Sequence, residues 1–405
     1  MLFVPKVDAG YSFLNGAGAA TLLETVVSER GWQLSDWSLS QLDHAPGRST
    51  TATYECLVTT DEKDKEVLVG LTVRAEGPNE KDRSAQLFTN KGVTAAAWIY
   101  PDDPELSGLP SITYPRQALS LLREHGLAPT RAQQADLQLR MIRYRPRRRA
   151  VVRLELGDVW FAKALRAGNA AVVAYKHGLL EQARVPVAHV AAQTSDDVVI
   201  LESLTGTPLN RAIFDEEPPV SGEEIVRLLD SIPNTVNELP RRAPWVANLE
   251  HYASLVAIMV PEEESRLQRL VEGINSGLDK TLGNEPTHGD LHEGQLFVTG
   301  GRITGLLDID TVGPGRRVDD LACLLAHLST IRHMNVSQTT AVQRLLKEWT
   351  AVFEGRVDAT QLRLTTAGVA VSLASNPTKG TDLKAEVGNT LSVAERYLHS
   401  ARLGG

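Results

Sequence analysis

Residues 287–325 read THGDLHEGQLFVTGGRITGLLDIDTVGPGRRVDDLACLL. A His-Gly-Asp turn (His288, Gly289, Asp290) opens the stretch, and the amide Gln295 lies five residues beyond Asp290. Asp308 follows the apolar run ITGLL, and Asp320, Leu321 and Ala322 open an apolar helix. Phosphoryl transfer from a nucleotide needs a carboxylate that receives or orients the acceptor hydroxyl, together with oxygen ligands for Mg²⁺. Asp290 suits the first task. Gln295 and Asp308 suit the second, because clustered carboxylates are unfavourable without a cation. His288 is expected to shape the turn through hydrogen bonds rather than act as a base. Asp320 is expected to cap its helix and brace the loop. Asp310 either assists the cation site of Asp290, Gln295 and Asp308 or is solvated, and His292 and Glu293 either touch substrate or face solvent.

Upstream, two β-rich blocks precede a mostly helical remainder. The first runs from Trp37 to Arg74. The second runs over residues 137–165, with LQLRMIRYRPRRRAVVRLEL followed by VWFAKAL. Pro46/Pro146, Arg48/Arg148 and Glu55/Glu155 recur at one offset, which fits either a duplicated hairpin or two generic hairpins with Pro-Arg turns. In the second block Lys163 sits between Ala162 and Ala164. Burying an unpaired ammonium is costly, so Lys163 must point to solvent or to a partner. As a kinase lysine it would hold the α- and β-phosphates, oriented by Glu181, the single carboxylate of the helix expected at 170–185. The turn Arg147, Arg148, Arg149 would bind phosphate oxygens, with Arg148 as the candidate, or be a solvated basic turn. Glu202 and Ser203 end a buried strand where a purine base would meet backbone. Helices are expected at 18–31, 115–127, 221–238, 246–258, 262–280, 338–353, 359–374 and 381–402, and residues 101–112 read as a boundary loop.

The 405 residues carry 42% apolar and 23% charged side chains, which gives ample material for a core. A net charge of −8 argues against a nucleic-acid surface. Cys56 and Cys323 form no metal or redox motif and fit a cytoplasmic location. No apolar run suggests a membrane span, and MLFVPKVDAGYSF lacks the pattern of a secretion signal.

The motif residues resemble the aminoglycoside phosphotransferase and choline kinase-like superfamily. That resemblance implies an α+β, protein-kinase-like bilobal fold: a small β-rich N-lobe, a mainly helical C-lobe and, here, an extra N-terminal β-rich cap. The expected segments are 1–110 for the cap, 111–205 for the N-lobe and 206–405 for the C-lobe. By the same resemblance Asp290 is the catalytic aspartate, Asp308 the metal aspartate, Lys163 the strand lysine and Glu181 the helix glutamate. ATP or GTP with Mg²⁺ are the implied cofactors. Gln295 stands where the family has Asn, which lengthens that ligand by one methylene. The loop His-Gly-Asp-Leu-His-x-Gly-Gln is similar to that of maltokinases and related actinobacterial sugar kinases. The following IDTVGPGRRVDD departs from their Phe-Glu-Gly-Glu-Pro segment. The acceptor is expected to be an aminoglycoside, a sugar or an amino sugar, with no nucleic-acid or membrane partner. The tract Glu262, Glu263, Glu264 would meet amines or form a solvated helix start. A nucleotide-binding regulatory protein without turnover is the competing class.

Overall fold

The computed structural model describes residues 9–16, 18–45, 47–60, 63–90, 92–215, 218–377 and 382–403. It divides into two compact units. Of the described residues, one holds those from 9 to 174 together with 190–203, and the other holds 175–189 and those from 204 to 403.

The first unit carries two antiparallel sheets of identical strand order. In the first sheet β1 (Gln33–Ala45), β2 (Ser49–Thr59), β3 (Asp64–Arg74), β4 (Gln86–Asn90) and β5 (Val93–Ile99) stand in the order β1-β2-β3-β5-β4. In the second, β6 (Gln138–Arg145), β7 (Arg149–Leu156), β8 (Asp158–Leu165), β9 (Val190–Gln193) and β10 (Val198–Glu202) stand in the order β6-β7-β8-β10-β9. The hairpin registers repeat as well: Ala45 pairs with Ser49, and Arg145 pairs with Arg149. Pro46 lies outside the described residues. The shared motif is therefore one topology used twice, and the sequence resemblance was confined to the hairpin because only there do turn and register demand similar residues.

β4 and β5 escaped sequence reading. Their core is the run Val93-Thr94-Ala95-Ala96-Ala97-Trp98-Ile99, whose alanines have little strand preference, yet all of Ala95 to Ile99 are buried. Helix Gly18–Ser28 lays Leu22, Leu23, Val26 and Val27 into a core with Ala52, Tyr54, Val69 and Leu71. The expected boundary loop at 101–112 is a packed segment instead. Leu106, Leu109 and Ile112 are fully buried in the core of the second sheet, and Leu109–Thr113 is helical. In β7 burial alternates, with Ala150, Val152 and Leu154 facing that core.

The second unit is mostly helical. The expected helix at 221–238 ends at Ser231, and a short 3-10 turn, Asn234–Glu238, follows Pro233, which offers no N–H to continue the ladder. Helices Arg317–Thr330, Val336–Glu354, Ala359–Ala374 and Leu383–Leu403 surround two apolar cores in which Trp349, Phe353, Leu325 and Leu391 are buried. Small sheets lie among them: β11 (Thr207–Pro208) pairs with β13 (Leu296–Thr299), which pairs with β14 (Arg302–Leu306), and β12 (Glu285–Thr287) pairs with β15 (Gly313–Gly315). Among the described residues no helix is long and apolar enough to cross a membrane.

Candidate active site

The turn after β12 is held from three sides. Asp320, buried in the first turns of helix Arg317–Thr330, accepts the backbone N–H of His288 and of Gly289 on separate oxygens, each at 2.7 Å. Asp320 is the fourth residue of its helix and not its cap, so it braces the turn instead. His288 is fully buried, and burial lowers its pKa. Its Nε2 lies 2.9 Å from the Leu307 carbonyl, and its Nδ1 accepts the Asp290 N–H at 3.3 Å. Those two bonds place the ring proton on Nε2 and use both nitrogens, so His288 is structural and not a base. The Thr311 hydroxyl donates to the His288 carbonyl at 2.7 Å. Gly289 has a φ of +82°, and a Cβ there would lie 2.8 Å from the Thr311 carbonyl, so only glycine fits.

These contacts tie the turn to the second motif segment. Gln295 is buried just before β13, and its carbonyl accepts the Leu307 N–H at 2.8 Å. Asp308 follows β14 in the left-handed region, φ 53° and ψ 42°, which an L-residue adopts at a cost and which recurs at functional sites. Lys176, buried in helix Asn169–Gln182, donates to the carbonyls of Asp310 (2.6 Å) and Val312 (3.1 Å), fixing the chain just beyond Asp308. Sequence reading missed Lys176, since nothing around it in the helix marks it.

Two further residues missed by sequence reading hold the Asp290 carboxylate. The Trp245 indole N–H donates to Oδ1 at 3.2 Å. The Arg242 guanidinium lies 3.7 Å from Oδ2, donates to the Gly289 carbonyl at 3.1 Å and stacks over the Trp245 ring at 5.0 Å. Both come from the loop LPRRAPWVAN (239–248), which carries no local signal of a site.

The neighbouring histidines form a separate feature. His292 and His327 stack in parallel, centroids 4.5 Å apart and 10° between planes, beside Glu293. Burial, then His292, push His327 down to about 4, so it is neutral near pH 7. Parallel rings send their in-plane lone pairs side by side rather than onto one ion, so this trio is a poor metal site despite its composition. His292 Nδ1 accepts the Gly294 N–H at 3.1 Å, which puts the ring proton on Nε2. The Gln295 amide nitrogen lies 2.9 Å from Nε2, so the amide must turn over to set its oxygen against that proton, and that oxygen would keep a second lone pair for a cation.

The other expected residues lie as follows. Lys163 is buried in the central strand β8, paired across to Val151 and Val199. It stands on the face opposite Trp160, Ala162 and Ala164, which line the core. Glu202 and Ser203, at the end of β10, are exposed. Glu181 is half-exposed and pairs with His189 at 2.8 Å. Arg148 is exposed and pairs with Asp43 of β1 at 2.8 Å. Glu262 pairs with Lys384 and Glu263 with Arg266 at the start of a helix, so the acidic tract is a paired helix start.

Arg147 corrects the reading of the basic turn as either phosphate-binding or solvated. Its side chain is 4% exposed and forms ion pairs with Asp82 (2.6 Å) and Glu105 (2.9 Å). Its N–H donates to Asp103 at 2.7 Å, and Asp103 also accepts the Tyr144 hydroxyl at 2.7 Å. The acids come from segments 42 to 65 residues upstream, where no hairpin pattern could point to them.

One expected result follows from the Asp320 brace. Burial pushes its carboxyl up to about 7, opposed by the two backbone N–H bonds. Protonation weakens one of those bonds, so turnover should fall as pH drops through about 7. A folded-state pKa above the unfolded value has the opposite effect on stability: folding takes up a proton, so that contribution is greatest in acid and fades as pH rises toward 7. Turnover and melting temperature should therefore shift in opposite directions across this window. Asp320→Asn, which sets an NH₂ against a backbone N–H, should remove the acid limb and destabilise the fold by about 2–3 kcal/mol. An unchanged acid limb in that variant would rule out Asp320 as its source.

The sequence profile of the phosphotransferase enzyme family matches residues 140–352. Among solved structures, a choline/ethanolamine kinase family protein from Mesorhizobium loti is 17% identical, with TM-score 0.48, over 71% of this chain and 99% of that one. An aminoglycoside-3'-phosphotransferase of type VIII is 18% identical, with TM-score 0.41, over 62% of this chain and 97% of that one. A choline kinase from Cryptosporidium parvum is 12% identical, with TM-score 0.44, over 71% and 94%. No curated protein matches the chain in sequence.

Proposed function

Because the chain belongs to the phosphotransferase enzyme family and has its protein-kinase-like α+β fold, we propose that it transfers the γ-phosphoryl group of ATP to a hydroxyl of a small polar molecule. The acceptor is an aminoglycoside, a sugar or an amino sugar. The observation that carries the reading is the Asp290 turn. It is locked by Asp320, His288 and Thr311, and its carboxylate is oriented by Trp245 and Arg242. A carboxylate fixed at both oxygens is preorganised to receive a hydroxyl proton, and positioning supplies most of the catalysis in phosphoryl transfer.

In this mechanism Asp290 orients the hydroxyl and takes its proton as the oxygen attacks phosphorus. The carboxylate of Asp308 and the amide oxygen of Gln295 are hard donors that suit Mg²⁺, and they would hold it. When bound, the ion neutralises charge on the phosphate oxygens. Lys163 contributes its ammonium to the nucleotide phosphates, oriented by Glu181. Glu202 and Ser203 mark the strand end proposed for the base, and Arg148 is a further phosphate candidate once released from Asp43. The segments 1–110, 111–205 and 206–405 serve as cap, N-lobe and C-lobe in this reading. The chain acts in the cytoplasm without membrane or nucleic-acid partners. The Gln loop favours a sugar or amino sugar as in maltokinase-like enzymes, whereas the family name alone favours an aminoglycoside.

Mg²⁺-dependent ADP release against a panel of aminoglycosides, hexoses, amino sugars, maltose and choline tests the proposal, with Asp290→Ala as the blank. One strong acceptor supports it. ATP binding with silence across the panel favours a binding protein without turnover. Lys163→Met should raise the ATP KM by about tenfold, or about 1.4 kcal/mol. An unchanged KM would remove Lys163 from the phosphate site.

A further inference from the structure

We infer that Arg242 sets the charge of the acceptor: the site takes a neutral or anionic hydroxyl compound and turns away one with an ammonium beside the reacting hydroxyl. This rests on the phosphoryl-transfer reading of Asp290. A hydroxyl that reaches Asp290 must come within a few ångströms of a guanidinium that lies 3.7 Å from the same carboxylate. Arg242 is held there twice over, by the Gly289 carbonyl and by the face of Trp245, so it does not swing aside freely.

The surrounding charges do not offset it. The cleft beside Gly289 is also walled by Arg241 and Arg316. The acids that share its wall are occupied: Asp319 is paired with Arg316 at 2.7 Å, and Asp320 holds two backbone N–H groups. Arg241 is tied to the carbonyls of Gly283 and Pro314, which carry no formal charge. The helix-start acids that would receive amines are paired with Lys384 and Arg266. On this wall of the cleft an incoming cation therefore meets the Arg241 and Arg242 guanidinium groups, with Asp319 and Asp320 already engaged. A guanidinium about 5 Å away in a partly solvated site discriminates by about tenfold or more.

The test is a set of matched acceptors: glucose, glucosamine and glucose 6-phosphate, and maltose beside kanamycin. Each is scored for ADP release and, independently, for binding by ligand-observed NMR in the presence of a non-hydrolysable ATP analogue. The wild type is expected to use and bind the uncharged or anionic member at least about tenfold better than its amine counterpart. Arg242→Gln keeps a donor for the Gly289 carbonyl but removes the charge, and should erase that ratio. Arg242→Lys should retain it. Preference of the wild type for the amine, an unchanged ratio in Arg242→Gln, or no binding of any neutral or anionic member up to millimolar concentration would overturn the inference. If Arg242→Gln does not fold, the wild-type and Arg242→Lys ratios decide alone. Binding in the expected order without ADP release would leave the inference standing and overturn the phosphotransfer reading instead.

Discussion

Asp290→Ala is expected to lower turnover by about a thousandfold or more while ATP affinity stays within about twofold. The size follows from the role. A positioned proton acceptor typically contributes between about a hundredfold and ten-thousandfold. Here the same side chain also orients the hydroxyl, and alanine loses both effects. The selectivity for turnover over nucleotide binding follows from the geometry. The His288 and Gly289 amides are held by Asp320 and not by Asp290, so the turn keeps its shape when the carboxylate is removed. Asp290→Asn sharpens the test, because its amide preserves the bond from Trp245 and loses the basicity together with the charge that faces Arg242. Turnover within about tenfold of wild type in either variant would exclude Asp290 as the proton acceptor.

The largest loss of stability is expected from Arg147→Met. The Arg147 side chain is 4% exposed, and Asp82 and Glu105, its partners, are 1% and 10% exposed. Arg74 also reaches both, at 2.8 and 3.5 Å, but Arg147 is the more buried of the two shared cations, and breaking a buried ion pair typically costs about 3–5 kcal/mol. Arg74 still reaches Asp82 at 2.8 Å, and Lys81 still reaches Glu105 at 3.0 Å, so the loss should lie toward the lower end of that range. The pH dependence has a definite sign. Burial alone would raise both carboxyls. For Asp82 the Asn79 N–H, Arg147 and Arg74 outweigh it, and for Glu105 Lys81 and Arg147 do, so both pKa values fall below their ordinary ones. A carboxyl with a lowered folded-state pKa contributes stability above its unfolded pKa, and that contribution is lost as pH falls through the folded value. Denaturant midpoints should thus drop in acid for the wild type and much less for Arg147→Met. Equal acid sensitivity in the two proteins would show that the cluster does not govern it.

The same cluster sets the shape of the hairpin between β6 and β7. Arg147 lies between β6 and β7 at a φ of 59°, a conformation that favours glycine, and its backbone N–H and side chain are both anchored on residues around the first sheet. A turn held in this way keeps one shape although the residue in the left-handed conformation is not a glycine. Trp98 of the first sheet donates its indole N–H to the Tyr144 hydroxyl of the second at 2.8 Å, and the two sheets lie in one compact unit.

The reach of the sequence followed the range of the forces. The His-Gly-Asp turn, the Asp-Leu-Ala helix start and the strand before Asp308 are local. Gly289 is fixed by its own backbone angle, and the alternation of β7 by the pleat, so these were legible from adjacent residues. The ends of helices at Ser231 and the strands at 86–99 were less so, because a proline two residues on and an alanine-rich run give weak or late signals.

What the sequence determined by itself was the chemistry on offer: two aspartates and an amide in motif order, a lysine inside an apolar strand, and an α+β plan repeated in its hairpins. What only the tertiary structure decided was the company those groups keep. Arg242 and Trp245 reach Asp290 from 45 residues or more away, Lys176 grips Asp310 and Val312 from another helix, and Arg147 turns inward because Asp82 and Glu105 are there to meet it. The reason is electrostatic. A charged side chain follows the partner that offsets its desolvation, and that partner is chosen by proximity in the folded chain, which neighbours in sequence do not encode.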